Sequence, residues 1–140
     1  MGAENVSYVS FVEDGAITVG SLVNTKMLDG TTVVDFGAQA MGYVSGRAGL
    51  KLLLDFSNID YLASAALTEL IKINDEVISN GGTFRICGLS PSIEKVFEIT
   101  NFMKTFEITA GEDLAHAKAR FNRSIEISKE EEAWDKRHDR

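Results

Sequence analysis

Cysteine, histidine, proline and basic charge are all scarce in this chain, and each scarcity removes a class of function. The single cysteine, Cys87, cannot close an internal disulfide, which suits a reducing compartment. It stands in the strand-like run TFRICGL, where a buried structural thiol is the expected reading over a reactive one. The two histidines, His116 and His138, are far apart, and one sits in a charged tail. That leaves no spacing suited to zinc, so neither a metal nor a cofactor is expected. Fourteen lysines and arginines stand against 21 acids, a formal charge of -7. Nucleic acid needs a basic face, so it is not an expected partner, and an anionic membrane surface is disfavoured by the same argument. No apolar run approaches the roughly 20 residues of a membrane span, and the first residues lack a basic stretch followed by an apolar one. The chain reads as cytoplasmic.

What is present is the material of one ordinary domain: 140 residues with 44% apolar side chains, enough to bury a core. In VSYVSFVEDGAITVGSL, apolar residues at Val9, Phe11, Ile17 and Val19 alternate around Asp14-Gly15, the pattern of a hairpin. Val33, Phe36, Gly37, Ala40 and Val44 then recur at helical spacing, and Gly46 and Gly49 close that segment. LKLLLDF reads as a strand buried on both faces. Ser57 to Ala63 read as a loop, and Leu67, Leu70, Ile71, Asn74, Val77 and Ile78 mark a helix ending at Asn80-Gly81-Gly82.

TFRICGL is a second inner strand. Ser90-Pro91 then opens a helix with a hydroxyl cap and a proline in the first turn, and Ile93, Val96 and Phe97 form its inner face. KTFEIT is expected to be a last short strand, followed by a helix opened by Glu112-Asp113 and continuing through Leu114, Ala117 and Phe121. A hairpin followed by alternating helices and strands demands crossover connections. The expected fold is therefore a single-domain α/β fold, with a mostly parallel mixed sheet, an N-terminal edge hairpin and about four helices. Residues 1–121 form the expected domain. Residues 122–140 carry 11 charged side chains in 19 positions, a tail that frays or extends as a solvated helix.

In such a sheet, ligands and partners meet the edge formed by the carboxyl ends of the strands. That edge would carry Asp55, Ser57, Asn58, Asp60 and Ser64 after the first inner strand, then Gly88, Ser90, Pro91 and Ser92 after the second. An enzyme would need a nucleophile with a base, and no histidine falls at a strand end. The stretch around Ser64, DYLASAALTEL, is no Gly-x-Ser-x-Gly elbow, and the glycines of NGGTFRICG precede a strand, so they form no phosphate loop. The expectation is a protein without catalytic activity. Taken by its residues alone, Ser64 reads first as a helix N-cap, satisfying an orphan backbone N–H for about 1 kcal/mol.

Three stretches, LLLDFSNIDYLASAALTELIKI, VISNGGTFRICGLSPSIEKVFEITNFMKTFEI and EDLAHA, resemble the STAS domain. That fold is shared by bacterial anti-sigma factor antagonists and the cytoplasmic tails of sulphate transporters, and the resemblance runs from about Val6 to Phe121. It implies a binding module whose partner is an anti-sigma factor or a related serine kinase. In the family that kinase phosphorylates a hydroxyl within a motif Asp-Ser-Ser/Thr-Gly-Leu, which falls here on Ala63, Ser64, Ala65, Ala66 and Leu67. Only Ser64 and Leu67 match. The usual acceptor position is Ala65 and the acid is replaced by Ala63, so Ser64 is the one candidate phosphoacceptor left.

The partner face implied is Ser57, Asn58, Asp60, Ala63, Ser64, Ala65, Leu67 and Ser90. A homodimer is compatible with this reading. The alternative is a sensor or scaffold of the same type binding a nucleotide or lipid at that edge, which would call for a concave pocket rather than a flat surface.

Overall fold

A computed structural model describes residues 6–138; the first five residues of the expected domain, and Asp139 and Arg140 of the expected tail, lie outside it. The chain runs β1 (Val9–Asp14), β2 (Ile17–Leu22), β3 (Met27–Leu28), α1 (Gly30–Val44), β4 (Lys51–Asp55) and β5 (Tyr61–Leu62). It continues through α2 (Ser64–Ser79), β6 (Thr83–Cys87), α3 (Pro91–Ile99), α4 (Phe102–Thr105) and α5 (Leu114–His138). The main sheet has the order β1-β2-β4-β6, antiparallel only between β1 and β2. The edge hairpin and the parallel remainder agree with the sequence reading, and α4, a single turn, raises the helix number to five among the described residues.

Pairing of Asp14 with Ile17 leaves Gly15-Ala16 as a two-residue hairpin loop, with Gly15 at a φ of +62°. The register puts Val9 beside Leu22, and Val12 beside Val19. Val9 and Phe11 therefore face one layer, while Ile17 and Val19 face the other.

Two layers explain the unbroken run Leu52-Leu53-Leu54. Leu52 and Leu54 join the main core under α1 and α2, with Phe36, Phe56, Leu70 and Phe84. Leu53 points to the opposite face, where α5 covers it with Ala117 and Phe121. A strand buried on both sides has no polar face to show, so it alternates nothing. Over Gly37 of α1, the carboxylate of Glu69 from α2 fills the space a Cβ would take.

Three local expectations fail. KTFEIT is not a strand: Phe102–Thr105 is a helical turn, and Glu107 has a φ of +51°, which breaks any extended run. Phe106 instead plugs the core, with its ring 5.6 Å from Phe84 at 89° and 5.6 Å from Phe102. Within α2, Ile71 and Ile78 are 36% and 56% exposed, and Ala66 and Ile73 take inward positions in their place. Ser64 is not the cap of α2. Ala63 occupies that position with extended backbone and no side-chain hydrogen bond, and Ser64 is the first helical residue.

Candidate functional site

The carboxyl ends of β4 and β6 are joined through Phe56 N–H, which donates to the Cys87 carbonyl at 2.9 Å. Beyond them Asp55 turns back on the loop. Its Oδ1 accepts from the Ser57 N–H at 3.1 Å and from the Ser57 hydroxyl, an Asx-type turn that fixes the loop's direction. Gly88 packs on this turn at a φ of +75°; a Cβ there would lie 2.7 Å from Ser57 Oγ and closer still to Asp55 Oδ1. The Gly88 N–H donates to Glu112 O at 3.1 Å, which draws the segment before α5 to the same edge.

A two-stranded parallel sheet, Met27 beside Tyr61 and Leu28 beside Leu62, anchors the far end of the loop. Asp60 N–H donates to Lys26 O at 2.7 Å, and Ala63 N–H to Leu28 O at 2.9 Å. The start of α2 is therefore held by backbone bonds on a preceding strand rather than by a capping hydroxyl. Ser64 and Ala65 are exposed there, with Tyr61 52% and Met27 47% exposed on the adjoining strand pair. Leu67 is buried, so its part is to seat the helix on the core.

Ser57, Asp60, Gly88, Ser90, Glu112 and Asp113 line one shallow groove of about 250 Å³. Ser90 caps α3, accepting from the Ile93 N–H at 3.4 Å ahead of Pro91, as its sequence indicated. Asn58 turns to the other side of the loop, donating to Leu22 O at 3.3 Å and facing Asn24, Thr25 and Lys26. The structure thus brings Ser57, Asp60 and Ser90 together, with Asn58 one step away and Ala63, Ser64 and Ala65 on the neighbouring helix start. Glu112, Asp113, Tyr61 and Met27 were not on the sequence list. The first two precede a helix far along the chain, and the last two depend on pairing between two-residue strands that no periodicity marks.

The groove's electrostatics are acidic but partly tied down. Both oxygens of Glu112 accept from Arg120, at 2.9 Å from Nε and 2.9 Å from Nη2. This hydrogen bonding raises the Arg120 pKa. Asp113 accepts from the His116 backbone N–H at 2.9 Å and meets its Nδ1 at 2.7 Å. These bonds lower the Asp113 pKa and raise that of His116. Under the groove, Cys87 is fully buried, and burial, reinforced by the neighbouring Asp55, pushes its thiol up to about 12. It is a structural thiol at the pH of a cell. Among the described residues, no group of three His, Cys, Asp or Glu side chains could hold a metal ion, and no helix is long and apolar enough to cross a membrane.

A family model, the STAS domain, matches residues 24–117 of this chain. BtrV of Bordetella bronchiseptica, a candidate anti-sigma factor antagonist, is 28% identical over 67 residues, 48% of this chain and 58% of that protein's length. A STAS domain protein of Planctomyces limnophilus, an anti-sigma factor antagonist, superposes with a TM-score of 0.72 at 17% identity, covering 81% of this chain and 96% of that one. An anti-sigma factor antagonist from Mycobacterium paratuberculosis superposes with a TM-score of 0.69 at 20% identity, covering 87% and 99%. At these identities the two structures establish likeness of fold.

Proposed function

The chain belongs to the STAS domain family, and on that premise we propose that it is an anti-sigma factor antagonist-like binding module in bacterial partner switching, one that lacks the usual phosphoacceptor. Its partner is an anti-sigma factor or a related serine kinase, it acts in the cytoplasm, and it works by binding rather than by catalysis. The docking face comprises Ser57, Asn58, Asp60, Ala63, Ser64, Ala65 and Ser90, extended by Tyr61 and Met27.

The observation that carries this reading is the surface at the start of α2. Ser64 and Ala65 are small and exposed, Tyr61 and Met27 beside them are half exposed, and the loop is pinned by backbone bonds to Lys26 and Leu28. A rigid apolar patch with a small-residue step and a polar, acidic margin suits a protein partner. The adjoining groove supports the same choice over a nucleotide, since none of the residues lining it is cationic. With alanine at 65, the face keeps its binding-competent form unless Ser64 itself is modified. Purification of the tagged chain from its native cell, followed by mass spectrometry, tests the reading. Recovery of a histidine-kinase-like anti-sigma factor supports it, and repeated recovery of no such protein counts against it.

A further inference from the structure

The opposite edge of the sheet, at the amino ends of β4 and β6, holds a second concavity of about 230 Å³ between the strands and α5. Lys51 and Thr83, paired across the two strands, form its floor. Ser124 and Ser128, and beside them Ile125 and Lys129, descend from α5 as two i, i+4 pairs. Two lysines and three hydroxyl-bearing residues therefore line one cavity in a chain whose net charge is -7. Phe121 and Ile125 supply an apolar wall, and Glu132 is the one acid of the lining.

Arg85 adjoins this cavity through Ser124. It follows Thr83 on the same face of β6, and its Nη2 donates to Ser124 Oγ at 3.2 Å and to Glu107 Oε1 at 3.3 Å. The residue is only 7% exposed and its guanidinium lies 4.5 Å from the Phe121 ring centre. Its Nε and Nη1 are buried and meet no acceptor among the described residues. Buried charged donors left unmatched are costly, and Arg85 places its positive charge directly behind Ser124, a residue of the cavity wall.

We propose that this cavity binds a small oxyanion, a phosphate or carboxylate, carried on a short apolar body. Lys51 and Lys129 supply charge, Thr83, Ser124 and Ser128 donate hydrogen bonds, and Phe121 with Ile125 covers the apolar part. The cavity is smaller than the roughly 300–1,000 Å³ of sites for drug-sized ligands, so a whole nucleotide is too large. The site lies across the sheet from the docking face and does not depend on it.

The test is a titration of the full chain with phenyl phosphate, benzoate and inorganic phosphate, followed by amide chemical shifts. Saturable shifts centred on Thr83, Ser124 and Ser128 are expected, with phenyl phosphate or benzoate stronger than inorganic phosphate; the stronger of the two identifies the oxyanion. Lys51→Gln and Lys129→Gln each weaken binding about fivefold, and Glu132→Gln tightens it. The variants are at partly or fully exposed positions and keep the fold, which the same spectra verify. Ala65→Glu leaves binding unchanged, so failure here is separable from failure of the docking face. Shifts confined to other surfaces, or affinity unchanged from the parent in both lysine variants, overturn the proposal, as does the lack of saturable binding for all three probes.

Discussion

Gly88 stands against the Asp55–Ser57 turn so closely that its missing side chain is part of the site. A Cβ at 88 would meet Ser57 Oγ at 2.7 Å and Ser57 N at 3.0 Å, and would need the left-handed backbone at φ +75°. The obstacles are main chain and a short anchored turn, so they cannot swing aside. Gly88→Ala therefore costs about 2–3 kcal/mol, the sum of strained backbone and a displaced loop. Denaturant melts measure it; a loss under about 0.5 kcal/mol would show that the turn is not rigid.

Ala65→Glu separates docking from folding. Ala65 is exposed in the first turn of α2, where a carboxylate faces the positive end of the helix and is neutral or favourable by a few tenths of a kcal/mol. On the proposed face it adds bulk and negative charge against the partner. Melting is expected to stay within about 0.5 kcal/mol of the parent. Affinity for the captured partner is expected to fall at least about tenfold, read by calorimetry. Unchanged affinity removes the start of α2 from the interface.

The fold was legible where periodicity had one interpretation. The five residues spaced along α1, Val33 to Val44, are the five it buries, and Leu52 to Leu54 read as an inner strand because both faces are covered. Legibility failed where apolar residues offered two stripes. In α2, Ile71 and Ile78 compete with Ala66 and Ile73, and only packing on the sheet decides which pair turns inward. Phe106 and Ile108 alternate like a strand, yet positive φ at Glu107 and the aromatic cluster around Phe106 win. Ser57, Asp60 and Ser90 could be found from strand ends alone. Tyr61 and Met27 could not, because a two-residue pairing across the chain leaves no local mark.

The His116–Asp113 pair gives a titration that can be read directly. Hydrogen bonding to Asp113 raises the His116 pKa above 6.5, and bonds from His116 lower that of Asp113 below 3.8. The raised His116 contributes below its unfolded value and loses that contribution as pH rises through its folded one. The lowered Asp113 contributes above its unfolded value and loses that contribution as pH falls through its folded one. The pair is thus strongest between the carboxylate range and neutrality. An NMR titration should place His116 above 6.5, and Asp113→Asn should bring it back down; an unmoved midpoint rejects the pairing.

The end of the folded unit is a further measurable boundary. α5 continues unbroken past Phe121, with Ser124 bonded to Arg85 and Ile125 packed on the second core layer. A chain ended after Phe121 should lose about 1–3 kcal/mol, whereas one ended after Glu132 should melt like the parent. Equal melting of both would place the end of the folded unit at Phe121.

Phe121 and Cys87 share the layer between the sheet and α5, so the thiol reports on the helix above it. Phe121 is 1% exposed, and Phe121→Ala is expected to cost about 3–5 kcal/mol by opening a cavity under α5. Burial, with Asp55, Glu112 and Asp113 adding to it, raises the Cys87 pKa from 9.0 to about 12. A group raised in this way favours the native state while it is protonated. Its contribution is whole below about 9 and is lost as pH climbs toward about 12. In Phe121→Ala, water reaches the sulfur, the thiol titrates nearer to 9, and the alkaline loss of stability still begins near 9 but ends at a lower native pKa and shrinks. A disulfide reagent at pH 8 should label Cys87 of the variant much faster than that of the parent under native conditions. Equal rates, with the variant folded, would mean that α5 does not shield the thiol and that the second layer contributes less than its burial indicates.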